Sequence, residues 1–196
     1  MPMDRLGLKV LVLLVAYLLG SVPSALILSR LVAGVDIREI GDANMGARNV
    51  TRTLGWKPGV AVASVDVSKG ALAVLLAQAF GLDLSWRIGA GYCVVLGHDF
   101  PLFAGLRGGQ GMAATLGVLL ALVPGETLLG LAIYGLLFLV TRHSDLSAGV
   151  GIGLVVFLMW RWDEPRLLLI CMIGLILSIP AKTLLDRPRR LRVRGA

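Results

Sequence analysis

Charge is scarce in this chain. Asp, Glu, Lys and Arg make up 16% of its 196 residues, against roughly a quarter in soluble domains. Hydrophobic residues supply 57% and the mean hydropathy is +0.84. A soluble fold of this size has too little interior to hide that much apolar surface, so an integral membrane protein is expected. Cysteine is nearly missing. Cys93 and Cys171 both sit inside apolar runs, which gives neither a disulfide framework nor a zinc site; they read as small apolar side chains. Aromatics reach only 6%, with no alternation of rings and basic residues that would stack bases. The net charge of +7 is therefore a matter of membrane orientation rather than of nucleic acid. Evident internal repeats and a file of charges through the apolar segments are missing as well, which argues against a transporter or channel.

What the chain does have is a succession of apolar runs. A spanning helix needs roughly 20 such residues. Leu6 to Leu31 is the first candidate. Ser21-Val22-Pro23-Ser24-Ala25 would pass as a signal-peptide cleavage site, but the apolar run is too long for one and the chain stays hydrophobic afterwards. Residues 58–81 and 87–105 give the next two. Residues 111–141 exceed one comfortable helix and carry Pro124-Gly125-Glu126 in the middle, so two short helices with a tight turn are expected. Residues 148–162 and 165–184 complete an all-α membrane domain of about seven spans over residues 1–184, or five or six if one short piece is re-entrant, followed by a basic tail at 185–196.

Charge then orients the domain. One side carries Arg30, Arg38, Arg48, Arg52, Lys57, Arg107, Arg142, Lys182, Arg187, Arg189, Arg190, Arg192 and Arg194; the other carries Arg5, Lys9, Arg87, Arg161 and Arg166. The richer side is expected to be the cytoplasm, with the N-terminus outside. All the suspicious polar sequence then emerges on the cytoplasmic face.

Three segments carry candidate chemistry. Gly41 to Arg52 holds Asp42, Asn44, Gly46, Arg48, Asn49 and Arg52. Arg48 and Arg52 share a face if this stretch is helical, and two guanidiniums side by side suit phosphate oxygens; they also satisfy the positive-inside rule. Arg107-Gly108-Gly109-Gln110-Gly111 lies between apolar runs, where bare amides at a helix start can meet the phosphate of a lipid precursor; a tight turn is the plainer reading. Arg142 to Ser147 offers a guanidinium and a hydroxyl, or a helix start capped by Asp145 or Ser147. Beside them, His98 is an acid–base candidate or an interface histidine paired with Asp99 or backbone. Asp66 and Lys69 are three apart and expected to pair, either structurally or as site lining. The arginine-rich tail reads as a stop-transfer anchor for anionic lipid.

The spaced motifs resemble the acyl-phosphate:glycerol-3-phosphate acyltransferase family of bacterial membranes (PlsY type), over residues 10–180. They are Gly20-Ser21-Val22-Pro23, Asp36-Ile37-Arg38, the Gly41–Arg52 cluster, Asp66-x-x-Lys69-Gly70, Gly97-His98-x-x-Pro101-x-Phe103, Gly108-Gly109-x-Gly111-x-Ala113-x-Thr115, and Arg142 with Leu146-Ser147. The resemblance implies a seven-span fold and a cytoplasmic active site in the cell membrane. It implies transfer of a fatty acyl group from acyl phosphate to the 1-hydroxyl of glycerol 3-phosphate, with membrane lipids as surroundings and no metal, nucleotide or other cofactor. Arg52, Asn44, His98 and Ser147 are the expected catalytic set. Gly46, Arg48, Asn49, Arg107, Gly108, Gly109, Gln110, Gly111 and Arg142 are expected to hold phosphate, with Asp42, Asp66 and Lys69 lining the site. Oligomeric state is not encoded in these motifs.

The chain also departs from the family pattern. Asp42 stands where the family has serine, Arg48 where it has threonine, and Gln110 where it has lysine. A His-x-x-Asn motif near the C-terminus is absent; the tail reads Lys182-Thr183-Leu184-Leu185-Asp186-Arg187. Asp42 is expected to pair with Arg48 or to oppose an incoming phosphate. The alternative function is a non-catalytic relative that binds lipid phosphates or a partner enzyme.

Overall fold

The computed structural model describes residues 5–194, so residues 195–196 of the expected tail lie outside it. Every regular element among the described residues is helical: α1 (Arg5–Ser21), α2 (Ser24–Ala33), α3 (Ala47–Leu54), α4 (Trp56–Ala79), α5 (Leu84–Asp99), a single 3₁₀ turn (Leu102–Ala104), α6 (Met112–Leu122), α7 (Pro124–Thr141), α8 (Ser144–Arg161), α9 (Arg166–Leu185) and α10 (Arg187–Arg194). Five helical stretches are long and apolar enough to cross a membrane: Arg5–Ala33, α4, α7, α8 and α9. α5, with 16 residues, and α6, with 11, are shorter.

Proline and glycine set most of the boundaries. Pro124 opens α7 at its first turn, where its missing N–H costs nothing, and so divides 111–141 as expected. Asp83 caps α5 by accepting from the Trp86 N–H. Two expectations shift. The run expected as one helix from residue 6 to 31 breaks at Val22-Pro23 into α1 and α2, because proline cannot continue the hydrogen-bond ladder. The segment 87–105 leaves the helix at Asp99, and Leu102–Ala104 forms a separate turn after Pro101.

Small residues let the helices approach closely. α1 packs along α5, α4 along α6, and α7 along α8. At the α4–α6 crossing a Cβ on Gly70 would fall 2.1 Å from the Ala114 carbonyl oxygen, and one on Gly117 would fall 2.0 Å from that of Val67. Backbone therefore meets backbone in both directions, the usual solution where helices associate without a hydrophobic driving force. The main core gathers Ala73, Val74, Val94, Ala114, Val118, Met159 and Met172 from five helices. A smaller core under the 34–46 segment joins Leu26, Ile37, Met45, Val50 and Val62. Leucines and valines elsewhere on the helices stay exposed, as a lipid-facing surface requires.

Candidate active site

The break at Val22-Pro23 takes the Val22 carbonyl out of the helical ladder, and it accepts from the Ser24 N–H at 3.0 Å. Lys69 on α4 donates to the same oxygen at 3.2 Å. The same ammonium meets Asp66 at 2.9 Å, which realises the expected pair. Asp66 is itself buried and also accepts from the Ser24 hydroxyl at 2.6 Å. His98 at the end of α5 brings Nδ1 to 3.6 Å from the same carboxylate, an ion pair when the ring is protonated. So His98 turns to Asp66 and not to Asp99. Ser24, Lys69 and His98 border a small cleft that also reaches Met45, Pro101 and Gly109.

The glycine loop presses against that cleft. The Gly109 N–H donates to the His98 carbonyl at 3.1 Å, so this amide is engaged by the protein itself. A Cβ on Gly109 would lie 2.1 Å from His98 Nε2; only glycine fits beside the imidazole. Gly111 has a positive φ of 72° and forms the left-handed start of α6, where its oxygen accepts from the Thr115 N–H. Gln110 reaches away from the loop, and its Nε2 donates to Thr183 Oγ1 on α9 at 2.7 Å.

The 41–52 cluster is held by Asn49. Its buried Nδ2 donates to the carbonyls of Ile37, Ile40 and Asn44, and its Oδ1 accepts from the Asp42 N–H. Asn49 thus staples the loop. Asn44 is buried with its Oδ1 unpartnered among the described residues, and Gly46 marks the start of α3. α3 is helical, so Arg48 and Arg52 do share a face, but Asp42 pairs with Arg52 and not with Arg48. Arg52 meets Asp42 at 3.1 Å. Arg48 instead makes a forked pair with Asp145 at 2.8 and 3.1 Å, which holds its guanidinium above its ordinary pKa. Asp145 and Ser147 do not cap α8: the cap position is His143, and Ser147, fully buried, donates back to the His143 carbonyl. Arg142 is exposed at the left-handed end of α7.

Contacts between distant segments bring all these elements to one end of the bundle. Arg48 ties α3 to α8, Gln110 ties the glycine loop to α9, and Arg189 of α10 donates from Nη2 to the Ala43 carbonyl at 2.6 Å. Arg189 and Thr183 were not singled out in the sequence as site residues. Burial, and then the charges of Arg107, Arg190 and Arg38 working against Asp186, push the Arg189 guanidinium below its ordinary pKa. Lys182 is buried beside Asp186 and stacks over Phe100 at 4.9 Å. Arg38 grips Asp36 through Nε and Nη2 at 2.9 and 2.6 Å, and donates from Nη1 to the Ala104 carbonyl. Those bonds hold the Asp36 carboxyl well below the usual carboxylate range.

A multi-pass helical membrane protein with guanidiniums, a glycine-rich turn and a buried Asp–Lys–His group at one end has the parts of a centre for anionic substrates at a membrane edge. A family model for glycerol-3-phosphate acyltransferases matches residues 10–187, and the chain belongs to that family. It is 43% identical over 159 residues to a glycerol-3-phosphate acyltransferase of Pseudomonas putida, covering 81% of this chain and 84% of the relative. It is also 43% identical over 148 residues to one of Thermus thermophilus, covering 75% and 73%. Its fold is similar to the crystal structure of PlsY (YgiH), an integral membrane glycerol 3-phosphate acyltransferase. The glycerol 3-phosphate form of that protein superposes with a TM-score of 0.83 at 33% identity, covering 96% of this chain and 94% of the other. The lysophosphatidic acid form gives 0.80.

Proposed function

We propose that the chain moves a fatty acyl group from acyl phosphate to the 1-hydroxyl of glycerol 3-phosphate, giving lysophosphatidic acid for phospholipid synthesis. The observation that carries this reading is the likeness along nearly the whole chain to an acyltransferase crystallised in glycerol 3-phosphate and lysophosphatidic acid forms. The donor follows from the chemistry that the residues can do. An acyl phosphate is already an activated anhydride, so the site needs no strong acid and no covalent nucleophile. It needs to hold two anions together and aim one hydroxyl at one carbonyl.

In this reading Arg52, with Asn44 beside it, holds the phosphate of the acceptor, and Asn49 shapes the loop that carries them. The amides of Gly108 and Gly111 face the donor phosphate or the oxyanion that develops. His98, Ser147 and Arg142 border the site, and Asp66 with Lys69 fixes the floor beneath His98. The hydroxyl oxygen of glycerol 3-phosphate attacks the acyl carbon. The bond from that carbon to the phosphate oxygen breaks, phosphate leaves with the electron pair, and the hydroxyl proton ends on the departing phosphate.

Seven crossings of a bacterial inner membrane fit this scheme, with α1 and α2 forming one broken crossing and α5 and α6 two short ones. The excess of basic residues at the site end supports a cytoplasmic C-terminus. A reporter fused to the C-terminus should read as cytoplasmic; an exported reading overturns the orientation. Purified protein in lipid nanodiscs, given acyl phosphate and glycerol 3-phosphate, should release phosphate and lysophosphatidic acid in equal amounts. Phosphate without that product would mean hydrolysis or another acceptor, and no turnover would favour a non-catalytic relative.

A further inference from the structure

A second, larger opening shares no lining residue with the cleft at His98. It is an open groove of about 370 Å³ bordered by Leu26, Arg30, Arg38, Phe103 and Arg107. Three guanidiniums at one opening repel one another unless an anion lies between them. Asp36 is the carboxylate that two of them share, meeting Arg38 at 2.6 Å and Arg30 at 3.0 Å. Glu39 acts on Arg38 through space, while Arg189 adds its charge near Arg38 and Arg107. The Arg107 backbone N–H donates to the Ala104 carbonyl, while its guanidinium has no hydrogen bond or ion pair among the described residues. The groove therefore keeps an excess of positive charge. One side of it is apolar: Phe103, which lines it, is more than half exposed, as are Leu102 and Leu106, each next in the chain to a lining residue.

We propose that this groove binds the phosphate headgroup of an anionic lipid, distinct from the substrates of the transfer centre. Arg30 and Arg107 fork onto the phosphate oxygens. Arg38 is held in place by Asp36 and the Ala104 carbonyl, so it supplies charge without having to be reoriented. The acyl chains leave along Phe103, Leu102 and Leu106 toward the bilayer. A free phosphate shares the headgroup chemistry but has no use for this apolar side, and that side is why the lipid is the better occupant. Basic recesses beside spanning helices are general sites for such headgroups.

The test is native mass spectrometry of the purified full chain, released from detergent after addition of phosphatidic acid or of phosphatidylcholine with the same acyl chains. The wild type should retain phosphatidic acid in preference by about fivefold or more, the scale of one basic residue near a headgroup. Arg30→Gln should lose most of that preference, and Arg30→Lys should keep most of it. Arg166→Gln, at the start of α9 and far along the chain from the groove, should bind like the wild type. Equal retention of the two lipids by the wild type, or an undiminished preference in Arg30→Gln, overturns the proposal. Displacement of bound phosphatidic acid by millimolar inorganic phosphate overturns the lipid assignment in favour of a soluble phosphate. The acyl-transfer assay on the same wild-type sample reports separately on the transfer centre, so one reading can fail without the other.

Discussion

Asp42 holds the guanidinium of Arg52 at 3.1 Å, while that guanidinium remains about half exposed to solvent. The arginine assigned to the acceptor phosphate is thus already partnered by a carboxylate. A phosphate must share or displace that partner. In Asp42→Ser the competition disappears, and KM for glycerol 3-phosphate should fall about tenfold with a smaller change in kcat. Solvent screening keeps the effect to that scale. Arg52→Ala should raise the same KM by more than tenfold. Steady-state kinetics in nanodiscs would decide, and unchanged kinetics in Arg52→Ala would sink the assignment.

The bond from Gln110 to Thr183 ties the glycine loop to α9. Thr183→Val removes two hydrogen bonds, the one from Gln110 and the hydroxyl's own to the Ile179 carbonyl, each worth about 1 kcal/mol. We expect kcat/KM to drop about fivefold to tenfold, with the thermal midpoint moving by about 4–8 °C. A large loss of stability with unaltered kinetics in the surviving protein would make the bond purely structural.

Gly70 and Gly117 set how closely α4 and α6 approach. Gly117→Val places side-chain atoms where the Val67 carbonyl now lies, so the helices must part. Overpacking of this kind costs about 1–3 kcal/mol or more. Thermal unfolding in detergent should show a clearly lower midpoint, and Gly135→Ala, with open space around its position, should not.

Removing one member of the buried pair should hurt more than removing both. Lys69→Met leaves the Asp66 carboxylate without its ammonium and the Val22 carbonyl with the Ser24 N–H alone, a loss of about 3–5 kcal/mol. Adding Asp66→Asn to Lys69→Met should recover part of it. The double variant melting lower than Lys69→Met would refute the pairing argument.

Asp36 carries a pH signature. Its pKa is depressed by Arg38 in the folded chain, so its stabilising effect is complete above the unfolded value of about 3.9. That effect is lost only as pH falls through the lower, folded value. Asp36→Asn should therefore melt below the wild type at pH 7, and the two curves should converge as pH drops under the carboxylate range. A gap that widens in acid would contradict the sign.

The local features were readable in the sequence: the break at Pro124, the Asp66–Lys69 pair three residues apart, the helical face shared by Arg48 and Arg52. Each depends on near neighbours and on helical spacing. What the sequence hid was the choice among partners far away. Asp42 lies near both arginines, yet Arg48 is taken by Asp145, 97 positions on. Asn49 has the polarity of a ligand-binding residue, and only the fold shows its amide enclosed by three carbonyls. The tail reads as a plain basic anchor, because nothing in its composition reports that Arg189 comes back to Ala43 across 146 positions.

That return contact bears on how the protein is made. The loop bearing Arg52 leaves the ribosome well before Thr183 and Arg189 do. The polar end is therefore closed by helix synthesised long after the loops it meets. A chain stalled before α9 holds its cationic loops without the bonds from Gln110 to Thr183 and from Arg189 to Ala43, and those bonds are themselves a mark that synthesis has passed α9.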